Sequence, residues 1–391
     1  MTARHLLSAS LLLAAACGVP SSRTAVADVS TDVPLRGATA AEVARFREGD
    51  ALFDGAFREA DGLGPLYVRT SCGACHQVGA RGPGGVQHVA APASELPFGH
   101  AVRPYVAAGA TSAVLGPDGG TAQVSLRLGP PLFGRGYLEA VDESEFLRLE
   151  AAQASVSEGV SGRVPRVTWH SEPNPRPGYP TWTRGTEGLL GRFGVKGRNA
   201  TLDDFSADAL QGDMGLTSPM RPSELPNPDG LADDRKPGLD VTQAQVDLLA
   251  DYVRLVEIPP RVEVPGGAAL FQSTGCATCH VPSLKTRTDY PVAALAGIDA
   301  PLYTDGLLHD MGDGLADGIT DEGASGREWR TAPLAGLRFL RSYLHDGRAS
   351  DLAGAVEAHA SPGSEANTSV ERFRGLAPSE QQRLVDFLEG L

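Results

Sequence analysis

A six-residue pattern with two cysteines and a histidine occurs twice in this chain, as SCGACH at 71–76 and GCATCH at 275–280. Each copy places two cysteines three positions apart and a histidine directly after the second cysteine, and the copies are 204 positions apart. A four-cysteine zinc site needs no trailing histidine, and in zinc ribbons its two halves lie much closer together. A disulfide inside either pair would be strained, and a thioredoxin-like pair would need a βαβ setting that the sequence does not show. The repeat therefore predicts two similar sites for a prosthetic group.

A C-x-x-C-H sequence is the attachment pattern for c-type haem. Its two thiols form thioether bonds with the vinyl groups of one porphyrin, and the imidazole that follows becomes an axial ligand of the iron. The two copies therefore predict two covalently bound haem c groups. The attaching residues would be Cys72, Cys75 and His76 for the first group, and Cys276, Cys279 and His280 for the second.

The N-terminus has the features of an export signal. An apolar run at 6–16 is too short to span a bilayer, so residues 1–16 are predicted to be a signal peptide. Small residues precede Cys17, as in bacterial lipoprotein signals, which predicts a lipid anchor on this cysteine. An ordinary signal peptide cut nearby is the alternative. Residues 17–40 are small and polar and predict a flexible tether. We therefore expect an exported, periplasmic, membrane-anchored lipoprotein of a Gram-negative bacterium.

The composition sets wide limits on the rest of the chain. Its 391 residues, 41% of them hydrophobic, are enough for two to three domains with sizeable cores. The 47 glycines and 29 prolines predict many loops and short helices. A formal net charge of −14 argues against binding to nucleic acid. It would suit a small basic redox protein, such as a basic cytochrome c, although solubility alone is an equally good explanation.

Each C-x-x-C-H pattern lies between two predicted helices. A short apolar-periodic stretch precedes each copy, with GDALF at 49–53 and GAALF at 267–271. Far downstream of each copy, apolar periodicity predicts a second helix, at 242–256 and at 379–391. Both of these helices open with Thr or Ser followed three residues later by Gln, which is a capping box.

This arrangement predicts a mainly α fold with two tandem cytochrome c-type domains. The first domain would span 41–257 and the second 260–391, with a proline-rich boundary between them. The first would carry a long, loop-rich insertion at about 81–185, where glycine and proline are frequent. Within the insertion, 121–129 alternates apolar and polar residues and predicts a strand.

Six segments, in one order, resemble the di-haem oxidoreductase family, whose members are also called thiol oxidoreductases or peroxidases. They are GPPLFGRGYLEAV, GRFGVKG, GDMGLTSP, YTDGLLHDMGDGLADG, EWRTAPLAGL and YLHDGRA. This family is related to the bacterial di-haem cytochrome c peroxidases. The resemblance implies a periplasmic oxidoreductase in which a C-terminal haem transfers electrons and an N-terminal haem faces a small oxidant such as hydrogen peroxide. It leaves Ca²⁺ open, because the side chains here do not indicate a calcium site.

The resemblance also suggests roles for individual residues. In the related peroxidases, the C-terminal haem is ligated by a Met that lies 14 residues beyond the His of a His-Asp-Gly sequence. In this chain that position holds His359. The resemblance therefore implies a C-terminal haem with two histidine ligands and a lower reduction potential. Asp213 matches the distal acid of the peroxidases and is the candidate acid–base catalyst. The chain departs from both families at Val195, where a Trp usually lies between the haems, and Phe205 falls near a peroxidase distal Gln.

Several assignments stay open from the sequence. The sixth ligand of the N-terminal haem is either His88, His100 or no residue of their loop. His345 is expected to position a haem propionate or fix its turn, whereas His309 and Met311 are ligands or core residues. Arg192 and Arg198 are candidate partners of propionates. Two functions compete with the enzyme: a non-catalytic electron carrier, and a maturation factor that oxidises a partner protein.

Overall fold

The computed structural model describes residues 32–76, 86–91, 98, 101–107, 109–115, 123–155, 159–231 and 236–391. The predicted signal peptide at 1–16, Cys17 with most of the tether, and His100 lie outside these residues. For 86–91 only the backbone is described. Within the described residues, none of the helices combines the length and the apolar character that crossing a membrane requires.

More of the described residues lie in helices than in strands, which confirms that helix predominates. Short β-ribbons are also present, so the fold is mixed. The helices are α1 (Ala40–Asp54), α2 (Cys72–Cys75), α3 (Arg135–Ala140), α4 (Glu143–Gln153), α5 (Leu202–Met214), α6 (Gln243–Leu255), α7 (Gly267–Ser273), α8 (Gly312–Leu315), α9 (Leu352–Ala358), α10 (Asn367–Arg374) and α11 (Pro378–Gly390). The strands are β1 (Leu66–Tyr67), β2 (Val86–Ala91), β3 (Tyr105–Val106), β4 (Gln123–Leu128), β5 (Arg166–Val167), β6 (Leu189–Leu190), β7 (Leu284–Lys285), β8 (Asp299–Ala300), β9 (Leu308–Asp310) and β10 (Glu328–Arg330). They form antiparallel pairs, β1 with β3, β2 with β4, β5 with β6, β7 with β8 and β9 with β10.

The two predicted capping boxes have different outcomes. The first is confirmed, because Thr242 exchanges hydrogen bonds with the glutamine three residues later at the start of α6. The second was wrong, because α11 begins at Pro378, before Ser379. Proline suits the first turn of a helix, since its missing N–H would have no partner there. The carboxylate of Glu380 instead accepts the N–H of Ala377 at 3.0 Å.

The larger hydrophobic core lies around α6, which packs against α1 and α5. Gly49 lets α1 approach closely, since a Cβ at this position would lie 2.6 Å from the Cβ of Tyr252. Phe46 and Phe53 of α1 contact the ring of Tyr252, with centroid distances of 5.1 and 5.0 Å. The helices on either side of the first C-x-x-C-H pattern are thereby brought together.

A smaller core lies in the C-terminal part of the chain. It contains Phe271, Tyr303, Leu337, Leu352, Phe373, Leu384, Phe387, Leu388 and Leu391. However, Leu284, Leu295 and Leu302 are fully buried in the larger core. The larger core therefore draws on residues from both predicted domains, and the division into 41–257 and 260–391 stays a prediction.

A buried network of charged side chains fastens α3, α5 and α6 together. Arg254 of α6 is fully buried and donates to Glu139 of α3 at 2.6 Å and to Asp251 at 2.9 Å. It also donates to Asp203 of α5. Arg176 bonds Asp203 and Asp251 as well, at 2.8 Å each. Because buried charges are stable only when paired, this network fixes the three helices relative to one another.

Candidate functional site

The first C-x-x-C-H pattern folds as a single helical turn. The hydroxyl oxygen of Ser71 accepts the N–H of Ala74 at 3.1 Å and so begins α2. α2 contains both cysteines, and the N–H of His76 donates to the carbonyl oxygen of Cys72 at 2.8 Å. One turn therefore carries the two thiols and the imidazole that were predicted to act together.

Cys72, Cys75 and His76 line a mostly apolar, partly open cavity. The rest of the lining comes from Arg69 and Ser71, from α1, α3, α5 and α6, and from the loops at 130–132 and 193–194. The predicted attachment residues thus face a mostly apolar cavity, which is the surrounding that a porphyrin requires.

Helix α5 forms one wall of this cavity. Its lining residues recur every three or four positions: Leu202, Phe205, Ser206, Ala209, Leu210, Asp213 and Met214. That spacing places side chains on one face of a helix. Thr201 begins the helix, since its hydroxyl oxygen accepts the N–H of Asp204 at 3.2 Å. The periodicity of these residues is visible in the sequence, but it was not used there to predict a cavity wall.

Asp213 and Met214 lie at the C-terminal end of the α5 wall. The carbonyl oxygen of Asp213 accepts the N–H of Val68 at 2.6 Å, which ties this end of α5 to the segment before α2. Burial, and then the negative charge of Asp213, raises the pKa of Cys75 to about 11, so this carboxylate lies within electrostatic reach of an attachment thiol. The side chain of Met214 is buried. Asp213 therefore lines the same cavity as the first C-x-x-C-H pattern, and its role as an acid–base catalyst stays a prediction.

The sixth ligand of the N-terminal haem is not decided by the described residues. His88 lies in β2, opposite Leu126 of β4, but its side chain is not described. His100 lies outside the described residues. The thioether of Met214 lines the cavity and is a further group able to ligate iron.

Two buried arginines beside the cavity have no carboxylate partner within the described part of the chain. Arg135 lines the cavity, and its Nε donates to the carbonyl oxygen of Pro131 at 2.7 Å. Arg330 donates to the carbonyl oxygens of Gly194 and Thr331, both at 3.1 Å. Burial, reinforced by the positive charge of Arg330, lowers the pKa of Arg135 to about 9. Burial also lowers the pKa of Arg330 to about 10.

These arginines allow a test of whether the cavity suits haem. A buried cation without a counter-ion is costly, and the propionates of a haem would supply the missing negative charge in a geometry that guanidinium favours. The cavity thus offers two thiols, an imidazole, apolar walls and a guanidinium group, and these residues fit a haem c. By contrast, Arg198 pairs with Asp208 at 3.0 Å, and Arg192 donates to a backbone carbonyl at 2.9 Å. Neither of them lines the cavity.

Replacing Arg135 with methionine is expected to lower the reduction potential of the N-terminal haem. Without the guanidinium, an unpaired propionate would disfavour an added electron, by about 60 mV or more, which corresponds to about 1.4 kcal/mol for one electron. Redox titration followed by optical spectra measures this shift. Arg192→Met is the matched control, because that arginine does not line the cavity, and it should leave both potentials unchanged. A larger shift in the control than in Arg135→Met would contradict the assignment.

The second C-x-x-C-H pattern presents a pair of imidazoles. Its cysteines lie on a 3₁₀ turn, and the N–H of His280 donates to the carbonyl oxygen of Cys276 at 2.9 Å. Nδ1 of His280 donates to the carbonyl oxygen of Tyr303 at 3.0 Å. Nδ1 of His359, directly after α9, donates to the carbonyl oxygen of Ala355 at 2.7 Å. In both residues Nε2 is left as the nitrogen that can face an iron atom.

The ionisation of these two histidines suits iron ligation. Burial, and then the nearby imidazole of His359, lowers the pKa of His280 to about 4. Burial lowers the pKa of His359 as well. Both rings are therefore neutral near pH 7, which is the form that binds metals. The effect of His359 on the pKa of His280 also indicates that the two rings lie near each other; bis-histidine ligation stays a prediction.

The backbone that orients His280 is strained. Tyr303 has a φ of 52°, a conformation that non-glycine residues rarely adopt. Its ring packs on Phe271 and Phe387, with centroid distances of 5.7 and 6.2 Å. Such strain persists only where surrounding contacts impose it. This packing therefore holds the Tyr303 carbonyl in place for the Nδ1–H of His280.

His309 is a buried residue with both ring nitrogens engaged. Nε2 bonds Asp305 at 2.9 Å and Nδ1 bonds Glu365 at 2.7 Å. Although burial opposes protonation, the neighbouring Cys279 and then Asp305 raise the pKa of His309 well above its ordinary value. The ligand atoms of Cys279, Asp305 and His309 lie within 4.8 Å of one another. Because the ring is already held between two carboxylates, it is better suited to supporting the C-terminal site than to ligating iron.

His345 stacks on a tryptophan. Its ring lies parallel to that of Trp329, with a centroid distance of 3.6 Å and an interplanar angle of 14°. Burial lowers the pKa of His345 to about 4. The preceding residue, Leu344, has a φ of 72°. The ring is thus fixed by stacking, and the expectation that His345 positions a propionate stays a prediction. Met311 is half-buried directly before α8.

A family model described as "Di-haem oxidoreductase, putative peroxidase" matches residues 107–391. No curated protein sequence matches the chain. The solved structure of hydrazine synthase from Kuenenia stuttgartiensis, pressurised with xenon, aligns with 99% of this chain and 100% of its own. The identity is 14% and the TM-score is 0.41, a similarity too weak to identify a fold.

Proposed function

The chain belongs to the di-haem oxidoreductase family, and from this premise we propose that it is a peroxidase-like enzyme with two covalently bound haem c groups. Electrons enter at the C-terminal haem and pass to the N-terminal haem, where a small oxidant such as hydrogen peroxide is reduced. The observation that carries the proposal is the cavity that contains Cys72, Cys75, His76 and Asp213 together. That these residues line one cavity supports the proposal that Asp213 acts as the acid–base group at the first attachment pattern.

The residues of the N-terminal cavity have separate tasks in this proposal. The two thiols would hold the porphyrin covalently, His76 would ligate its iron, and Arg135 would neutralise a propionate. When bound, the haem would supply electrons and an iron able to coordinate an oxidant. Asp213 would accept the proton of the near peroxide oxygen and pass it to the far oxygen, so that O–O cleavage releases one water. Two electrons from the haems and two protons from solvent would then convert the near oxygen into a second water. The apolar α5 wall limits the access of water to this exchange.

At the C-terminal site the residues serve electron transfer. Ligation by both His280 and His359 would leave no open position for a substrate. Imidazole in place of a thioether gives a lower potential, so this haem would be a stronger electron donor than a His/Met haem. The carbonyl oxygens of Tyr303 and Ala355 hold the two rings by their Nδ1 atoms, which keeps both Nε2 atoms available.

A second candidate function is a non-catalytic electron carrier. One observation favours it, namely that the thioether of Met214 lines the N-terminal cavity. If this group or His88 ligates the N-terminal iron permanently, both haems are closed to substrates. The other alternative, a maturation factor, would oxidise a partner protein in activity assays.

Electron paramagnetic resonance and optical spectra distinguish the enzyme from the carrier. The enzyme should show high-spin ferric haem, either at rest or after reduction by one electron, and should bind cyanide and peroxide. Two haems that stay low-spin at every redox level and bind neither ligand would establish the carrier instead.

Replacing His359 with methionine is expected to raise the reduction potential of the C-terminal haem only. A thioether stabilises the reduced iron relative to imidazole, and the shift should be on the order of 0.1 V, well within the ≈ 0.8 V span of axial-ligand effects. Redox titration with optical detection measures both potentials. His170→Met is the control, because this partly exposed histidine bonds Glu322 and is not a candidate ligand. Unchanged potentials in His359→Met would remove His359 from the iron.

We place this enzyme outside the cytoplasm, tethered by a lipid on Cys17 and reduced by a small basic redox protein. The apolar run at 6–16, the small residues before Cys17 and the net charge of −14 support this placement. Globomycin, which blocks lipoprotein signal cleavage, should cause a larger precursor to accumulate. Cys17→Ser should remove the lipid and block this cleavage, so that the precursor accumulates without globomycin; mature protein of wild-type mass in this variant would contradict the lipid anchor.

A further inference from the structure

The most tightly stacked pair of rings in the described residues is formed by Trp329 and His345. Their centroids are 3.6 Å apart and their planes differ by 14°. Trp329 is 6% exposed, and its Nε1 donates to the carbonyl oxygen of Leu315 at 2.9 Å. Neither residue belongs to the attachment patterns or is assigned as an iron ligand. The pair therefore needs an explanation of its own.

On one side the stack leads to the C-terminal site. Trp329 of β10 pairs directly with His309 of β9. Directly opposed residues of an antiparallel pair project from the same face, with Cβ atoms roughly 4.5–5.5 Å apart. Nδ1 of His309 lies 3.8 Å from Sγ of Cys279, an attachment sulfur of the C-terminal haem. The Cys279–His309 contact and the β9–β10 pairing thus link the C-terminal site to Trp329.

On the other side the stack leads to the N-terminal site. The carbonyl oxygen of His345 accepts the N–H of Leu128 at 2.8 Å. Gly129 follows, and a Cβ at that glycine would lie 3.4 Å from Cε1 of His76. The backbone at Gly129 is therefore in close approach to the axial imidazole of the N-terminal haem. Together the two sides form a continuous route through the protein between the predicted haem sites.

We infer that the Trp329–His345 stack is the electron bridge between the two haem sites. This inference rests on the proposed function. One electron is lost at the C-terminal site and gained at the N-terminal site, so the transfer is balanced without any change of bond or proton on the bridge. The stack holds two aromatic rings in van der Waals contact. Electronic coupling between the haem sites is stronger through such contact than across empty space, where it falls steeply with distance.

The charges around the indole favour tunnelling over transient oxidation of the tryptophan. Nζ of Lys196 lies 4.1 Å from the ring centroid of Trp329, and the guanidinium of Arg127 lies 5.6 Å from it. A cation over an aromatic face stabilises the electron-rich ring, and so it makes removal of an electron from the ring harder. Trp329 therefore stays in its reduced form while it couples the two sites.

The test measures the rate of electron transfer between the haems in the full-length holoprotein. The oxidised protein receives one electron per molecule by pulse radiolysis, and its redistribution between the haems is followed optically. The variants are Trp329→Leu, which removes the aromatic ring, and Trp329→Phe, which keeps a smaller aromatic ring at the same buried position. Trp169→Leu is the matched control, since Trp169 is also buried but meets the ring of Trp182 edge-on and has no contact with the residues of the route among those described. Haem content and both reduction potentials are recorded for every variant.

We expect the rate to fall by about an order of magnitude or more in Trp329→Leu and by less in Trp329→Phe. The potentials, the haem content and the rate in Trp169→Leu should stay at wild-type values. A merely structural role for Trp329 would change stability without this graded loss of rate. A wild-type rate in Trp329→Leu, with two haems at wild-type potentials, overturns the bridge alone. A wild-type protein without two haems overturns both the bridge and the proposed function.

Discussion

Replacing Arg254 with methionine is expected to lower the free energy of unfolding by about 3–5 kcal/mol, the cost of removing one partner from a buried ion pair. Arg254 is fully buried and bonds Glu139, Asp203 and Asp251. Its loss leaves buried carboxylates on α3, α5 and α6 without their main counter-charge. Chemical denaturation followed by circular dichroism measures the loss. Because α5 and α6 also form walls of the N-terminal cavity, the optical spectrum of the N-terminal haem should change as well.

The effect of Arg254→Met should depend on pH in a defined direction. Burial alone would raise the pKa of Asp203, but the guanidinium groups of Arg254 and Arg176 outweigh it and hold that pKa below its usual value. In the wild type this pairing stabilises the fold above the ordinary pKa of aspartate and is lost as the pH falls. The variant loses that contribution at neutral pH, so the difference in stability should shrink as the pH falls below about 4, through the lowered pKa of Asp203.

Arg58→Met is the control for this prediction. Arg58 also pairs with a carboxylate, that of Asp61, but on the protein surface. Exposed ion pairs contribute little because water and salt screen them, so this variant should unfold like the wild type. Equal stabilities of Arg254→Met and Arg58→Met would show that the buried network does not hold the three helices.

Replacing Asp213 with asparagine is expected to lower peroxide turnover by about 10²- to 10⁴-fold, the usual contribution of a positioned acid–base group. Asparagine has nearly the same shape but cannot accept and return a proton. The backbone tie from the carbonyl oxygen of Asp213 to the N–H of Val68 is kept in the variant, so haem content should be unchanged. Steady-state peroxide reduction with a chemical electron donor measures the effect.

Asp208→Asn provides a matched control on the same helix. Asp208 bonds Arg198 at 3.0 Å and does not line the cavity. The same chemical change there should leave turnover near the wild-type rate. If Asp213→Asn and Asp208→Asn turned over peroxide equally fast, Asp213 would have no part in proton transfer.

Local patterns in the sequence predicted the parts of the site that depend on neighbouring residues. Both C-x-x-C-H copies form tight turns, with the N–H of His76 and His280 bonded to the first cysteine of its own copy. The strand predicted at 121–129 is β4, and the capped helix after Thr242 is α6. Such features follow from spacing and turn chemistry, which act over a few residues.

The sequence could not predict features that depend on distant contacts. Nothing in the residues around Arg135 or Arg330 shows that the fold buries both without a carboxylate partner among the described residues. Likewise, His309 is held by Asp305, four residues away, and by Glu365, which approaches only after folding. The α5 wall is a different case, since its 3.6-residue periodicity was available in the sequence.

Val195 illustrates how an expectation from resemblance changes once contacts are known. The sequence suggested that the space between the haems lacks its usual aromatic side chain. In the structure the carbonyl oxygen of Val195 accepts the N–H of Arg330 at 3.0 Å, so this segment lies beside β10. Trp329, the neighbour of Arg330, places an indole ring close to Lys196, the neighbour of Val195. A residue distant in sequence therefore brings an aromatic ring to this part of the protein.

The most direct test of the account is the mass and pigment content of the purified, exported protein. Intact-mass spectrometry under denaturing conditions, combined with a pyridine haemochrome assay, counts the haems that stay bound to the polypeptide. Two haems per chain are predicted, one lost in a Cys72→Ala/Cys75→Ala variant and the other in a Cys276→Ala/Cys279→Ala variant. A colourless protein, or a single haem per chain, would contradict the account.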